Sequence, residues 1–191
     1  MQLRRSISVF FFLITALPLW MSGQNNQASH KVNIEIPEVA LLGLVAEESG
    51  NVKMVADAPD EAGAPVSLTE IQQNNGIWIN YSSIIRNQNH RRKVVATVQG
   101  EMPPGMRLLV EASEARGKGN GMLGKSLGKV YLSGESTEVI SDVGSCYTGK
   151  GAGNGHYLAY RLETDTKNEM FAGHMQNQTT VQVIYTLTDN N

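Results

Sequence analysis

The sequence predicts an all-β protein, an antiparallel β-sandwich of immunoglobulin-like or pilin-like type with roughly nine strands and glycine-rich loops. Apolar and polar residues alternate with a period of two in several segments, so each segment would bury one face of a strand. Turn-forming residues separate these segments, and no long segment has a helical period. These three observations favour a sandwich over a fold that alternates strands with helices.

The candidate strands run through most of the chain. The segments with clear alternation are 31–36, 77–82, 94–98, 106–112, 157–162 and 181–188. Shorter candidates are 39–45, 52–56, 129–133, 137–140 and 170–175. Turn signals occur at 48–51, 74–76, 102–105 and 133–134. Residues 67–70 spell a capping box, which would begin a single helical turn before the next turn signal ends it.

The first 23 residues have the pattern of a secretory signal peptide. Arg4 and Arg5 precede an apolar run over 7–20, and small residues follow it. The run is shorter than the roughly 20 apolar residues that a membrane-spanning helix needs. We therefore predict a signal peptide over 1–23, a flexible lead over 24–30 and a single sandwich domain over 31–191. The protein would be exported to the periplasm, the cell surface or the extracellular space.

The predicted mature chain is mildly acidic. Removal of residues 1–23 leaves 168 residues (191 minus 23) with 14 basic and 18 acidic side chains, a net charge of −4. This charge gives no electrostatic basis for binding nucleic acid, so we expect no nucleic-acid partner. No later segment is long and apolar enough to span a membrane, so the mature chain should have no transmembrane segment.

Cys146 is the only cysteine, so no disulfide can form within one chain. Free cysteine is among the most buried residue types, and we expect this thiol to be buried and inert. The alternatives are a disulfide to another chain or an exposed free thiol. A packed core must then supply the stability of the fold.

Two glycine-rich segments suggest chemistry that the rest of the sequence does not favour. Residues 119–126 match the spelling of a phosphate-binding P-loop, but a helix must follow such a loop, and residues 127–134 predict a turn and a strand. Residues 144–156 form the second segment, which is either a shaped loop with a binding edge or a mobile connector. It contains no aspartate that would bind calcium.

No set of residues predicts catalysis. Cys146 and His156 have the elements of a nucleophile and a base, but no third residue that would orient them is identifiable. The four histidines lie far apart without metal-ligand spacing. We therefore predict no catalytic, cofactor-binding or metal-binding residues, no cofactor, and a protein that is not an enzyme.

Two other groups of residues are candidates for binding. Arg86 and the segment 90–93 form a basic cluster, which either masks a strand edge or contacts anions. Trp78 is either a buried residue or an exposed platform on which a sugar stacks. The candidate ligand-binding residues are Trp78, Tyr147, Asn154 and Tyr157.

Three segments carry a resemblance to known families: Val-Asn-Ile-Glu-Ile-Pro at 32–37, Pro-Pro-Gly-Met-Arg-Leu-Leu-Val-Glu-Ala at 103–112 and Thr-Val-Gln-Val-Ile-Tyr-Thr-Leu-Thr at 180–188. With the signal peptide, they make the chain resemble secreted bacterial pilin-like proteins of the spore coat U and chaperone-usher kind. It also resembles uncharacterised secreted β-sandwich proteins of Gram-negative bacteria. The resemblance implies a fimbria-like subunit whose N-terminal segment inserts as a strand into a neighbour, with Val32, Ile34 and Ile36 as the inserted residues.

The leading hypothesis is therefore a secreted, non-enzymatic structural or adhesion subunit that assembles with itself or with other surface proteins. The alternative is a soluble carbohydrate-binding or adhesin module, with glycans as partners. A secreted hydrolase is the third hypothesis.

Overall fold

The structure is a computed structural model that describes residues 28–47, 50–54, 61–62, 73–103, 105–164 and 179–190. Within these ranges the chain forms β-strands and no helix, which confirms the predicted all-β class. The strands are β1 (Val39–Ala46), β2 (Gln73–Ile84), β3 (Arg92–Gln99), β4 (Met106–Ala112), β5 (Asn120–Gly121), β6 (Lys125–Ser126), β7 (Lys129–Leu132), β8 (Thr137–Val143), β9 (Cys146–Tyr147), β10 (His156–Thr164) and β11 (Gln182–Asp189).

The chain divides into two compact units, Met1–Glu35 and Ile36–Asn191. The described part of the first unit, residues 28–35, has no regular secondary structure. All of the strands belong to the second unit.

The strands form two antiparallel sheets. Sheet A contains β1, β2, β4, β5, β7, β9 and β10, and sheet B has the order β11-β3-β8-β6. The long strand β2 organises sheet A. It pairs with β1 along one side, and on the other side with β10 near its start and β9 near its end.

The two sheets share one hydrophobic core, as in a β-sandwich. Ile79 of sheet A and Val94 of sheet B are fully inaccessible to solvent and belong to the same cluster. Burial of a large apolar side chain of this kind contributes about 1.5–3 kcal/mol. The hydroxyl groups of Tyr160 in β10 and Tyr185 in β11 lie 2.9 Å apart, so a buried hydrogen bond also joins the sheets.

Most of the predicted strands are present. The alternating segments 77–82, 94–98, 106–112 and 157–162 lie in β2, β3, β4 and β10, and the segment 181–188 lies in β11 except for its first residue. The shorter candidates 39–45, 129–133 and 137–140 correspond to β1, β7 and β8. The predicted signal peptide at 1–23, capping box at 67–70 and strand at 170–175 fall outside the described residues, as do residues 24–27 of the lead and 55–56 of another candidate strand.

The strand predicted at 31–36 is absent. These residues have no strand pairing, and Val32, Ile34 and Ile36 are 67%, 82% and 64% exposed. Period-two alternation makes a segment suitable for a sheet, but a strand forms only where a neighbour provides backbone partners. Residues 52–54 of the candidate strand 52–56 also form no strand.

The segment with P-loop spelling is a crossing between the two sheets. It contributes β5 to sheet A and β6 to sheet B, and the next element is strand β7 rather than a helix. Gly124 lies at the crossing, where an added Cβ would approach Ile140 Cγ2 to 2.4 Å and Val143 Cγ2 to 2.7 Å. This glycine therefore allows close packing, and the segment lacks the helix N-terminus that a phosphate site of this type needs.

Candidate ligand-binding groove

A row of side chains crosses four strands on the outer face of sheet A. Leu41 of β1 pairs with Ser82 of β2, Ser82 pairs with Tyr147 of β9, and Tyr147 pairs with Asn120 of β5. Residues directly opposite one another on neighbouring strands point to the same face. Tyr81 precedes Ser82 and points into the core, so this row faces outward.

Small residues on β1 and β2 create an open groove beside this row. Gly43 pairs with Asn80, two residues along the strands from the pair of Leu41 with Ser82. A Cβ added at Gly43 would meet no atom within 4 Å. The groove has two hollows, of about 700 and 430 Å³, and Ser82 and Tyr147 line both of them. We call the two hollows together the outer-face groove; its other lining residues are Val39, Leu41, Leu42, Val45, Tyr81, Ser83, Ile84, Gly121, Ser145, Cys146, Gly149, Lys150 and Gly151.

The loop between β9 and β10, residues 148–155, forms one wall of the larger hollow, and two asparagine side chains hold it. Asn80 Oδ1 accepts a hydrogen bond from Gly151 N at 3.1 Å, and Asn80 Nδ2 donates to Asn154 O at 2.6 Å. Asn154 Nδ2 donates to Lys150 O at 3.0 Å, while its Oδ1 accepts from Lys118 N at 2.9 Å. The loop is therefore shaped by specific hydrogen bonds, which agrees with a shaped loop rather than a mobile connector, while its binding edge stays a prediction.

Tyr147 and Lys150 each bring to the groove a polar side-chain group that has no hydrogen-bond or ion-pair partner among the described residues. The Tyr147 side chain is 52% exposed, and Lys150 is exposed at the rim of the larger hollow. Lys150 is also the only charged side chain among the described residues that line the two hollows. The groove thus offers an aromatic ring, a hydroxyl group and one positive charge on a mostly apolar surface.

A buried hydrogen-bond network lies beneath the groove. His156 Nε2 lies 2.8 Å from Tyr81 Oη, and His156 Nδ1 lies 2.7 Å from Ser113 O. Gly124 N donates a hydrogen bond to Tyr81 Oη at 3.0 Å. Because a carbonyl oxygen only accepts, His156 Nδ1 carries the proton, and Nε2 then accepts from the tyrosine hydroxyl. Burial lowers the pKa of His156 and raises the pKa of Tyr81, so both groups stay neutral near pH 7.

The four predicted ligand-binding residues do not form one site, although Trp78 and Tyr157 contact each other. Trp78 is only 8% exposed, donates from Nε1 to Glu47 Oε1 at 2.9 Å and packs edge-on against Tyr157 at 5.3 Å between ring centroids. The structure therefore agrees with Trp78 as a buried residue and not with an exposed platform. Asn154 supports the loop from within. Tyr147 alone among the four lines the groove.

No protein-family model, curated protein or solved structure matches this chain. Within the described ranges, no group of three or more histidine, cysteine, aspartate or glutamate side chains is arranged to hold a metal ion. No helix in that part of the chain has the length and apolar character needed to cross a membrane.

Cys146 and His156 do not form the nucleophile and base pair considered from the sequence. Both ring nitrogens of His156 are engaged by Tyr81 and Ser113. Cys146 is buried, as predicted, and burial raises its pKa to about 11. A thiol with this pKa is almost entirely protonated at pH 7 and is a weak nucleophile.

The predicted basic cluster is not a continuous exposed surface, because Arg92 is buried. Its guanidinium group contacts Glu38 Oε1 at 2.7 Å, Asp189 Oδ1 at 3.0 Å and Ser83 Oγ at 3.1 Å, and it also donates to Val39 O. Arg92 thereby ties β3 and β11 of sheet B to β1, β2 and the residue before β1 in sheet A. The sequence predicted this residue as part of a basic cluster that masks a strand edge or contacts anions, since nothing local indicates that a charged residue is buried.

Sequence analysis did not identify Leu41, Gly43, Ser82 or Lys150 as residues of a common site. Their proximity depends on the register of β1 against β2 and of β2 against β9. The one available signal was the density of glycines at 144–156, which marked the loop that carries Lys150.

Proposed function

We propose that this protein is an exported, non-enzymatic subunit that assembles with further copies of itself at the cell surface or outside the cell. The principal support is the exposure of Val32, Ile34 and Ile36 at alternating positions of a segment without a strand partner among the described residues. Alternating apolar side chains that remain in water are typical of a strand whose neighbour belongs to another molecule. The signal pattern over 1–23 supports export.

Strand β1 has the complementary property, a sheet edge that has no strand partner among the described residues. Within the described ranges it pairs with β2 alone, and its sequence, VALLGLVA, contains no charged residue and no proline. Leu41 and Leu44 are exposed large apolar residues on this strand. Edge strands of soluble proteins usually carry charges, proline or a bulge that prevents pairing with other chains. The absence of these features from β1 supports its use as a pairing edge.

The direction of the free backbone groups follows from one hydrogen bond. Glu47 N donates to Gly76 O at 3.0 Å, just beyond the last pair of the β1–β2 ladder, which is Ala46 with Ile77. Backbone groups in an antiparallel ladder alternate between the two sides of a strand. The N–H and C=O groups that point away from β2 are therefore those of Ala40, Leu42, Leu44 and Ala46.

Pro37 favours pairing between two molecules over pairing within one. If residues 31–36 folded back tightly on the β1 of the same chain, Pro37 and Glu38 would form a two-residue turn. Such turns are type I′ or II′ and need a positive φ at the first position, whereas proline has φ near −65°. A longer loop would consume Ile36 and the start of β1. The proposed acceptor is therefore the β1 edge of a second copy.

Each copy would donate one segment and accept another, so the contact is head-to-tail and produces rings or open chains. Burial of the three apolar side chains contributes about 1.5–3 kcal/mol each. Backbone hydrogen bonds along the β1 edge add to this gain and oppose the entropic cost of association.

Size-exclusion chromatography with light scattering tests the assembly. We expect the chain that begins at Gln24 to form oligomers whose size rises with concentration, and the chain that begins at Pro37 to remain monomeric. A stable monomer from both chains, at all accessible concentrations, would remove the proposal.

Two matched triple substitutions test whether assembly depends on the apolar side chains of the segment or only on its length. Replacement of Val32, Ile34 and Ile36 by serine should abolish assembly. Replacement of Lys31, Asn33 and Glu35 by serine alters the same number of residues on the opposite face and should preserve it. Equal loss of assembly in both variants would contradict the inserted role of the apolar residues.

A further inference from the structure

The outer-face groove adjoins the β1 edge, since Leu41, Gly43 and Val45 of β1 line the larger hollow. These residues border the groove on the face of sheet A, whereas the β1 edge would pair through the backbone groups that point away from β2. We propose that this groove binds an oligosaccharide in which some of the sugars carry a carboxylate. The inference does not depend on self-assembly, and its test uses different variants.

Tyr147 provides the surface on which a sugar ring packs. Its ring is half exposed and stands between the two hollows, since it lines both. The negative face of an aromatic ring attracts the weakly positive C–H groups on the apolar face of a pyranose. Ser82, which pairs with Tyr147 across the strands, contributes a small polar residue beside that ring.

Lys150 determines the charge of the expected ligand. It is the one charged side chain among the described residues that line either hollow, and no acidic side chain there offsets it. An ammonium group on a mostly apolar surface attracts a carboxylate more strongly than it would in bulk water. One lysine in a groove that extends to both sides of Tyr147 fits a glycan with intermittent charges, in which neutral sugars adjoin each acidic one.

The groove is preorganised for a ligand. The loop that carries Lys150 is held by Asn154, whose Nδ2 donates to Lys150 O, and by Asn80. Gly43 leaves the floor of the larger hollow open. A site that exists before the ligand arrives requires little ordering of the protein upon binding.

Other polymers fit the groove less well. Nucleic acid carries one charge per nucleotide and would meet a protein of net charge −2 through a single lysine. An extended peptide binds mainly through backbone groups at a sheet edge, but this groove lies on a sheet face, where those groups are already paired within the sheet.

The test uses the hexasaccharide of hyaluronan, which alternates glucuronate with N-acetylglucosamine, and the same hexasaccharide with its carboxylates reduced to alcohols. Isothermal titration calorimetry of the full chain should detect binding of the acidic form, with weaker binding of the reduced form and at high salt. We expect Tyr147→Ala to weaken binding about tenfold, which corresponds to about 1.4 kcal/mol. Lys150→Gln should remove the preference for the acidic form.

Each variant has a matched control. Tyr131 is a similarly exposed tyrosine on β7, so Tyr131→Ala should leave binding unchanged, as should Lys129→Gln on the same strand. Gly43→Val places a side chain in open space, so it should fill the hollow and block binding without unfolding the protein. The control is Gly134→Val, which also places a side chain in open space and should leave binding intact.

Two results with the unmodified protein would overturn the proposal: no binding of the acidic hexasaccharide, or equal binding of the acidic and reduced forms. Two results with variants would also overturn it: binding that both Tyr147→Ala and Lys150→Gln leave unchanged, or binding that survives Gly43→Val in a folded protein. A peptide of residues 28–38 that binds the full chain and loses affinity in Tyr147→Ala would also overturn it, because the groove would then be a protein-binding site. Failure of self-assembly in the chromatography experiment leaves all of these outcomes unaffected.

Discussion

Cys146 shows how burial at the scale of one residue sets the chemistry of a side chain. The thiol is buried at the start of β9, and its pKa is raised to about 11. We expect Cys146→Ser to lower the free energy of unfolding by about 1 kcal/mol or more, because a hydroxyl group would enter an apolar site. Cys146→Ala should have a smaller effect. Urea denaturation measures both changes.

The same burial predicts slow reaction of the native protein with thiol reagents. Rapid modification of the folded chain, or a covalent dimer that disappears upon reduction, would show that Cys146 is accessible.

Arg92 is the second case at the residue scale. It is only 5% exposed, and its side chain bridges Glu38, which precedes β1 of sheet A, and Asp189 of β11 in sheet B. Arg92→Met should lower the free energy of unfolding by about 2 kcal/mol. This loss is smaller than the one expected for a fully buried ion pair, because both carboxylates are partly exposed and regain water when the arginine is removed. Arg91→Met is the control, since among the described residues the Arg91 guanidinium hydrogen-bonds only to the nearby carbonyls of Gln88 and His90. Equal urea midpoints for the two variants would contradict the bridging role.

At the scale of elements, the loop between β9 and β10 depends on backbone geometry. Gly155 has φ of +80°, and a Cβ there would approach Ile79 O to 2.2 Å. Gly151 has φ of +89° but open space around it. Both alanine substitutions strain the backbone, but only the one at Gly155 also creates a clash. We expect Gly155→Ala to lower the free energy of unfolding by about 2 kcal/mol more than Gly151→Ala. Thermal denaturation of the two variants tests this difference.

The same scale shows what the sequence could reveal. Strands such as 94–98 were predictable because alternation of apolar residues records which face is buried. The alternation at 31–36 is equally regular, yet no strand forms there, because pairing depends on a neighbour that the segment itself does not encode. Leu41 and Tyr147 became parts of one groove only through the register of three strands. Local sequence does not specify such a register between segments about a hundred residues apart.

At the scale of the whole molecule, the buried network around His156 makes stability depend on pH. Burial lowers the pKa of His156 from its ordinary value of about 6.5 in the folded state. Below pH 6.5 the unfolded chain therefore binds a proton more readily than the folded one, and the equilibrium shifts towards unfolding. The full contribution of neutral His156 to the free energy of unfolding is present above pH 6.5, and it is lost as the pH falls through 6.5 towards the folded-state pKa of His156.

We expect the urea midpoint to fall between pH 7.5 and pH 5.5, a range in which carboxylates without raised pKa remain largely ionised. His156→Gln should flatten this dependence, although it also lowers stability at all pH values. His90→Gln, at an exposed position, should retain the dependence. A His156→Gln profile parallel to that of the unmodified protein would show that another group is responsible.

The pairing of β2 with β10 also has a consequence for synthesis. Tyr81 and its hydrogen-bond partner His156 are separated by 75 residues. At translation rates of about 5–20 residues per second, His156 is made about 4–15 s after Tyr81. During that interval the apolar residues of β2 lack part of their native environment. The nascent chain therefore spends seconds in an incomplete state, and any factor that delays collapse or shields β2 in this interval should raise the yield of folded protein.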